Sequence, residues 1–253
     1  MIRIRIVLPS YNEAESLPGL LTKIELLYRQ SGLKLEVYVV NDGSKDNTLE
    51  VARNFKSTVP IHVVDLQPNR GLAGAMRAGL TEGVKGLDPH DIIVALDADD
   101  SQNPFLIPRM LQQICEGSDV VIASRYRPGA RIKGLTRFRE MTSIGAGLLF
   151  RIFAPVRGVR DFTCGFRAYR VSLLNQAFAY YGDKFIQQQG FGCMAEILLK
   201  LNRFNPVVHE LPMILRYDLK IGASKMNVMR TVRQTLQLLL TYRTTGKFRN
   251  EKL

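Results

Sequence analysis

Short, nearly continuous apolar runs alternate with amphipathic segments through the first half of the chain. IRIRIVL (2–8), LEVYVV (35–40), IHVVDL (61–66), DIIVAL (91–96) and DVVIAS (119–124) each read as a buried strand. Between them, Leu17 to Tyr28 and Thr48 to Phe55 carry helical patterns. The glycine-spaced GLAGAMRAGL (71–80) follows the third strand, and Pro104 opens a further helix after the fourth. Apolar strands separated by helices predict βαβ units, hence a doubly wound α/β domain whose parallel sheet is covered on both faces.

Beyond residue 124 this rhythm breaks. SRYRPGARIKGLTRFRE is basic and lacks apolar periodicity, and MTSIGAGLLFRIFAPV (141–156) is helix-like with a single arginine. RGVRDFTCGFRAYR reads as a loop, residues 172–181 and 191–203 as helices, VVHELPMIL (207–215) as one strand, and 225–243 as a closing amphipathic helix. With no repeat or linker, the pattern predicts one main domain over 1–225 and a C-terminal helix with a basic tail over 226–253.

Charge changes this picture. Residues 1–124 hold 12 Lys+Arg and 16 Asp+Glu, so residues 125–253 hold the remaining 35 − 12 = 23 basic and 23 − 16 = 7 acidic side chains. A basic C-terminal half implies an anionic partner: nucleic acid, an anionic membrane or a phosphorylated substrate. Cys115, Cys164 and Cys193 form no CxxC pair, which points to a reducing compartment, and the three histidines are scattered. MIRIRIVLPS lacks the apolar core of a secretory signal, and no apolar stretch reaches the ~20 residues of a membrane span. The expected location is cytoplasmic, at most peripheral on the cytoplasmic face of a membrane.

In an open parallel sheet, ligands bind beyond the carboxyl ends of the strands. Three predicted strands end in polar clusters: PSYNE, NDGS and DADD. NDGSKDN taken alone is a turn with a helix cap; its company at one sheet edge argues for a site. There Asp42 can accept from a base ring N–H while Tyr11 offers a flat surface. Asp97 and Asp99, one residue apart on extended backbone, can both face one hard cation such as Mg2+ or Mn2+, with Asp100 turned away. The absence of GxxxxGK[ST] argues against an NTPase. Gly71 and Gly74 allow close approach to a ligand or a tight helix start, and Gly74 and Gly79 equally fit helix–sheet packing.

Taken in order, LPSYNEAESLPGLL, VVNDGSKDNT, NRGLAGAMRAGL, LDADDSQNP, ASRY, DFTCGFRAYR and GASKM resemble the motifs of family 2 glycosyltransferases. The resemblance is strongest to the dolichol-phosphate mannose synthase and polyprenyl-phosphate glycosyltransferase group, and it covers residues 4–226. It implies a GT-A fold and a nucleotide diphosphate sugar donor, GDP-mannose or a UDP-sugar. By the same resemblance, Pro9, Tyr11, Glu13, Asp42, Asp97, Ala98 and Lys225 surround the donor, Lys225 within a G-x-S-K motif with Ser224. Asp97 and Asp99 correspond to the metal-holding DxD pair, and Gln102 stands one place beyond the usual third ligand position, here Ser101. Arg125 corresponds to an arginine near the reacting phosphates, and Asp99, Arg125 and Asp161 are the implied catalytic residues. Asp161, Gly165, Phe166 and Arg167 fall on a D-x-T-x-G-F-R motif. Arg139 and Ser143 resemble an acceptor-phosphate pair, which Arg167 joins.

Two acceptors then compete. A saccharide or small-molecule hydroxyl needs a carboxylate base, for which Asp161 is the candidate. A polyprenyl or dolichyl phosphate is largely ionised at neutral pH and needs cations instead. Residues 125–170 hold eleven Lys+Arg against Glu140 and Asp161, which favours the phosphate. The expectation is a metal-dependent inverting hexosyltransferase acting at a membrane surface. A third reading, a non-catalytic nucleic-acid-binding module, conflicts with three strand-end carboxylates that would repel phosphate. The apolar segment 141–156 and the C-terminal helix each read either as core or as a membrane-facing surface, and the latter helix also as a homo-oligomer contact.

Overall fold

The computed structural model describes residues 2–134, 137–190, 192–219 and 228–244, without the side chains of 137–143, 146 and 228–232. Its centre is a seven-stranded, mostly parallel sheet. In chain order the first half runs β1 (Arg3–Ser10), α1 (Leu17–Ser31), β2 (Lys34–Asp42), α2 (Thr48–Asn54), β3 (Ile61–Leu66), α3 (Gly71–Val84), β4 (Ile92–Ala95), α4 (Ile107–Cys115) and β5 (Val120–Ser124). The second half runs β6 (Arg131–Lys133), α5 (Arg137–Phe153), β7 (Arg167–Arg170), α6 (Val171–Tyr181), α7 (Gly192–Leu201), β8 (Val208–Pro212), β9 (Ile214–Arg216) and α8 (Val228–Thr244).

The strand order is β3-β2-β1-β4-β7-β5-β8. All five strands expected in the first half are present, and β1, β2, β3 and β4 pair in parallel. The loops after β1, β2 and β4 therefore open at one edge. α1 buries Leu17, Leu20, Leu21, Ile24 and Leu27, the stripe of a one-sided helix, and ends at Gly32 in the left-handed conformation. α3 lies close on the sheet because Gly79 has no side chain: a Cβ there would come within 2.4 Å of Val7 and 2.9 Å of Val40. Gly74 instead leaves room for the Arg70 side chain.

Three segments differ from the sequence expectation. Residues 167–170, expected in a loop, form β7, which runs antiparallel between β4 and β5. The expected strand 207–215 is two strands: β8 extends the main sheet beside β5, and β9 pairs with β6 in a separate two-stranded sheet. The chain changes sheet at Met213, whose N–H bonds the Ser124 carbonyl and whose carbonyl accepts from Arg131. The helix expected from 141 begins at Arg137. α8 packs against α5 and α7, burying Leu238, Leu239 and Tyr242. This is a GT-A, Rossmann-like arrangement, with the antiparallel β7 bringing the loop before it to the carboxyl edge of β4.

Candidate active site at the carboxyl edge of the sheet

The three polar strand ends do converge, and hydrogen bonds tie them together. Asn12 N–H donates to the Ser44 hydroxyl (3.0 Å), Glu13 N–H to Thr48 (2.8 Å), and Lys45 N–H to the Asn12 side-chain oxygen (2.8 Å). Asn12 adopts φ 52°, a left-handed conformation that Asn tolerates better than most residues. Ser16 links the first loop to the acidic one: its hydroxyl lies 2.7 Å from a Glu13 carboxylate oxygen and 3.2 Å from the Ala98 carbonyl. Glu13 and Ala98 are thus braced together through Ser16, in the loops that follow β1 and β4.

Asp42 ends β2, and its Oδ1 accepts the Arg70 N–H at 2.7 Å. Burial raises its carboxyl above the ordinary value, while the amides of Arg70 and Gly71 pull the other way. This end of the crevice is therefore tied to the start of α3, where a groove of about 440 Å³ opens between Arg70, Arg77, Lys184 and Gln187.

The three carboxylates after β4 are held in three different ways. Asp97 stands beside Gln102, whose side chain both accepts from the Asp97 N–H (3.1 Å) and donates to Asp97 Oδ2 (2.6 Å). Asp99 is buried, and its Oδ1 accepts the Ser101 N–H (3.1 Å) and hydroxyl (2.6 Å). Asp100, at φ 57°, turns away to pair with Lys23 of α1 at 2.7 Å. Their mutual repulsion is thus relieved locally by an amide, a hydroxyl and an ammonium group. Ser101 also gives its carbonyl to Arg216 N–H (2.8 Å), which anchors β9 to this turn.

Gly165 closes the crevice from the other side. A Cβ on this residue would lie 2.7 Å from Asp97 Oδ1, so only glycine admits the carboxylate in this position. The donor set suits a hard divalent cation: Asp97 and Asp99 offer oxygen, and such ions commonly bind one or two carboxylates plus substrate phosphates. Among the described residues no group of three His, Cys, Asp or Glu side chains forms a metal cluster. Gln102, expected as a further ligand, is occupied in fixing Asp97.

Two other expected site residues are fully buried. Asp161 is fully buried and accepts from Arg125 N–H (3.0 Å), Nε (2.8 Å) and Nη2 (2.6 Å), and from Cys164 N–H (3.1 Å). Burial alone would raise this carboxyl, but the Arg125 charge and these hydrogen bonds hold it below the usual carboxylate range. A carboxylate so engaged holds Arg125 in place through three hydrogen bonds. Arg125 also donates to the Thr163 hydroxyl at 2.7 Å. Arg167, expected at an acceptor phosphate, is wholly buried and donates to the carbonyls of Met194 (2.6 Å) and Phe162 (2.7 Å). It braces the motif loop from within.

Arg139 and Ser143 lie four residues apart within α5, but their side chains fall outside the described residues, as do Ser224 and Lys225 altogether. Burial pushes the Cys164 thiol up to about 12.

One residue escaped the sequence reading. Glu210 of β8 is buried; its Oε1 accepts both Arg160 N–H and Asp161 N–H at 2.7 Å, while Oε2 lies 2.9 Å from Arg127 Nε. It fixes the backbone that carries Asp161. The signal available was a lone acid inside the apolar strand pattern VVHELPMIL.

Comparison with known proteins follows the same lines. A family model described as Glycosyl transferase family 2 matches residues 5–178. A dolichol-phosphate mannosyltransferase from Pyrococcus furiosus is 32% identical over 208 residues, covering 82% of this chain and 55% of that protein. An undecaprenyl-phosphate mannosyltransferase from Micrococcus luteus is 32% identical over 227 residues, covering 89% of this chain and 88% of that one. The chain therefore spans little more than half of the first relative and most of the second. Among solved structures, glucosyl-3-phosphoglycerate synthase from Mycobacterium tuberculosis in complex with Mn2+, UDP and phosphoglyceric acid matches with a TM-score of 0.66 at 18% identity. That match covers 96% of this chain and 78% of that one, a likeness of fold.

Proposed function

Because this chain belongs to glycosyl transferase family 2, we propose that it moves a hexosyl group from a nucleotide diphosphate sugar to a polyprenyl or dolichyl phosphate, with inversion, using Mg2+ or Mn2+. The observation that carries this reading is the meeting of Asp97 with Gly165 at the mouth of β4. It joins the donor side of the crevice to the loop that carries the Arg125–Asp161 pair. Relatives that cover most of this chain and are named as polyprenyl-phosphate mannosyltransferases support the acceptor class.

In this reading Asp42 and Tyr11 hold the base and Asp97 and Asp99 hold the metal. When bound, the metal supplies charge that neutralises the departing diphosphate. Arg125, kept in place by Asp161, presents a further cation to the reacting phosphates, and Arg139 with Ser143 binds the acceptor phosphate. A phosphate oxygen, already ionised, attacks the anomeric carbon as the bond to the nucleotide diphosphate breaks, so no side chain has to take a proton. The engagement of Asp161 with Arg125 favours this acceptor over a hydroxyl that would need it as base. The acceptor's prenyl chain makes a membrane surface the working partner.

Thermal denaturation with a panel of nucleotide sugars and Mn2+ tests the donor half of the proposal. The matching donor at ~100 times its Kd stabilises by about 2.7 kcal/mol, raising Tm by roughly 5–10 °C. Asp97→Ala is expected to abolish the shift while melting normally without ligand. A shift of equal size in Asp97→Ala, or one independent of the metal, would overturn the assignment of that carboxylate.

A further inference from the structure

α7 is buried along its whole length, and from Gly192 to Leu201 its side chains are apolar except at Glu196 and Lys200. These two lie one turn apart and pair at 2.9 Å, with side chains only 3% and 0% exposed. An ion pair taken fully out of water gains little stability over two apolar side chains of the same volume, so packing alone does not account for it. Its further hydrogen bonds do. Glu196 Oε2 accepts the N–H of Gln187 (2.8 Å) and of Gln188 (2.7 Å), and the Lys200 ammonium donates to the Lys184 carbonyl. All three bonds reach one segment, residues 184–188.

Most of that segment lies outside regular structure: Gly182–Phe185 make one 3-10 turn, and residues 186–190 form neither helix nor strand. Phe185 and Ile186 are buried, whereas Lys184, Gln187 and Gln189 are exposed. Together with Arg70 and Arg77 these exposed residues line the groove of about 440 Å³ beside α3. Arg77 Nη1 donates to the Asp183 carbonyl at 3.3 Å, a tie across the groove from the other side. Arg70, Arg77 and Lys184 set three cations around it against the single carboxylate of Asp183, a balance that suits an anion.

We propose that Glu196 and Lys200 are positioning residues that hold the 184–188 wall of this groove so that Lys184 and Gln187 contact the anionic nucleotide sugar. The inference rests on the proposed donor and names residues, far from the carboxylate cluster in the chain, that set its affinity. The placement fits: Asp42 accepts the Arg70 N–H at 2.7 Å, so the groove opens beside the carboxylate proposed to hold the base. The wall acts on binding and not on the chemical step, because Asp97, Asp99 and Arg125 are held by other partners, namely Gln102, Ser101 and Asp161.

Calorimetric binding of GDP-mannose, UDP-glucose and UDP-N-acetylglucosamine with Mn2+, followed by kinetics with whichever binds, tests the proposal. Glu196→Leu/Lys200→Met replaces the ion pair with apolar side chains of similar size, so it is expected to melt within a few degrees of wild type. With the wall released, the donor Kd and KM are expected to rise about tenfold, while kcat and the polyprenyl phosphate KM stay unchanged. Glu196→Gln/Lys200→Met keeps an acceptor for the two amides and is expected to recover most of the loss, a difference that filling the core does not produce. Lys184→Ala/Gln187→Ala alters only exposed side chains and is expected to raise the donor KM likewise, whether or not the α7 variants fold. Wild-type donor affinity in Lys184→Ala/Gln187→Ala, or in a folded Glu196→Leu/Lys200→Met, overturns the proposal. So does an equal loss in the two α7 variants. Failure of the wild type itself to bind any of the three nucleotide sugars is a different result, which overturns the donor reading and this inference with it.

Discussion

Asp97 and Gly165 meet beyond the end of β4, and each explains the other. The aspartate needs a neighbour without a side chain, and the glycine serves no other evident purpose, since its backbone does not need the left-handed region. Gly165→Ala is therefore expected to act through a single collision, a Cβ 2.7 Å from Asp97 Oδ1, and not through backbone strain. A displaced carboxylate of this kind costs on the order of 10²-fold in kcat, with the fold intact by circular dichroism and melting. Wild-type turnover in Gly165→Ala would show that the position of Asp97 is not critical. The carboxylate cluster itself was readable in LDADDSQNP, as was the outward turn of Asp100. Its pairing with Lys23 was not, because the two residues are 77 apart in the chain and meet only when α1 packs beside the acidic turn.

At the level of elements, the parallel strands β1 to β5 were legible because each is a continuous apolar run. β7 was not. RAYR has two arginines in four residues and no apolar signature, yet it lies between β4 and β5 with three of its four residues buried. Its arginines are accommodated by backbone carbonyls: Arg167 by Phe162 and Met194, Arg170 by Ile114 and Ser118. Because β7 is antiparallel, the loop preceding it, and with it Asp161, reaches the same edge as Asp97. The Arg125–Asp161 pair at this junction makes a testable contribution to stability. Asp161→Asn leaves the Arg125 charge without its carboxylate and is expected to cost about 3–5 kcal/mol in urea unfolding at pH 7. The Asp161 carboxyl titrates lower in the folded chain than the ~3.9 of an unfolded one. Its contribution is therefore complete above about pH 4 and is lost as the pH falls through the folded value. The gap between wild type and Asp161→Asn should narrow below about pH 4; a gap that stays constant with pH would mean the pair is not ionic.

Across the whole molecule the division of charge acquires a structural meaning. The acidic first half builds the sheet edge with its carboxylates, while the basic second half supplies Arg125, the α5 and α8 surface, and the arginines that brace the motif loop. Apolar exposure on α5 and α8 was half legible: the sequence marked 141–156 as either core or membrane-facing, and the helix has one face packed on Phe162 and the other exposed. Periodicity alone could not separate these readings, because a helix apolar on two sides has no single polar face to exclude.

Transfer of a sugar to a lipid phosphate is the reaction we propose, and label transfer measures it. The full chain is incubated with Mn2+, a polyprenyl phosphate and each of several labelled nucleotide sugars, and the products are partitioned between organic and aqueous phases. Label is expected to enter the organic phase as a polyprenyl phosphosugar, only when the metal is present and with one donor strongly preferred. Label that passes only to saccharide or small-molecule hydroxyls, and none to the lipid phosphate from any donor, would refute the proposed reaction.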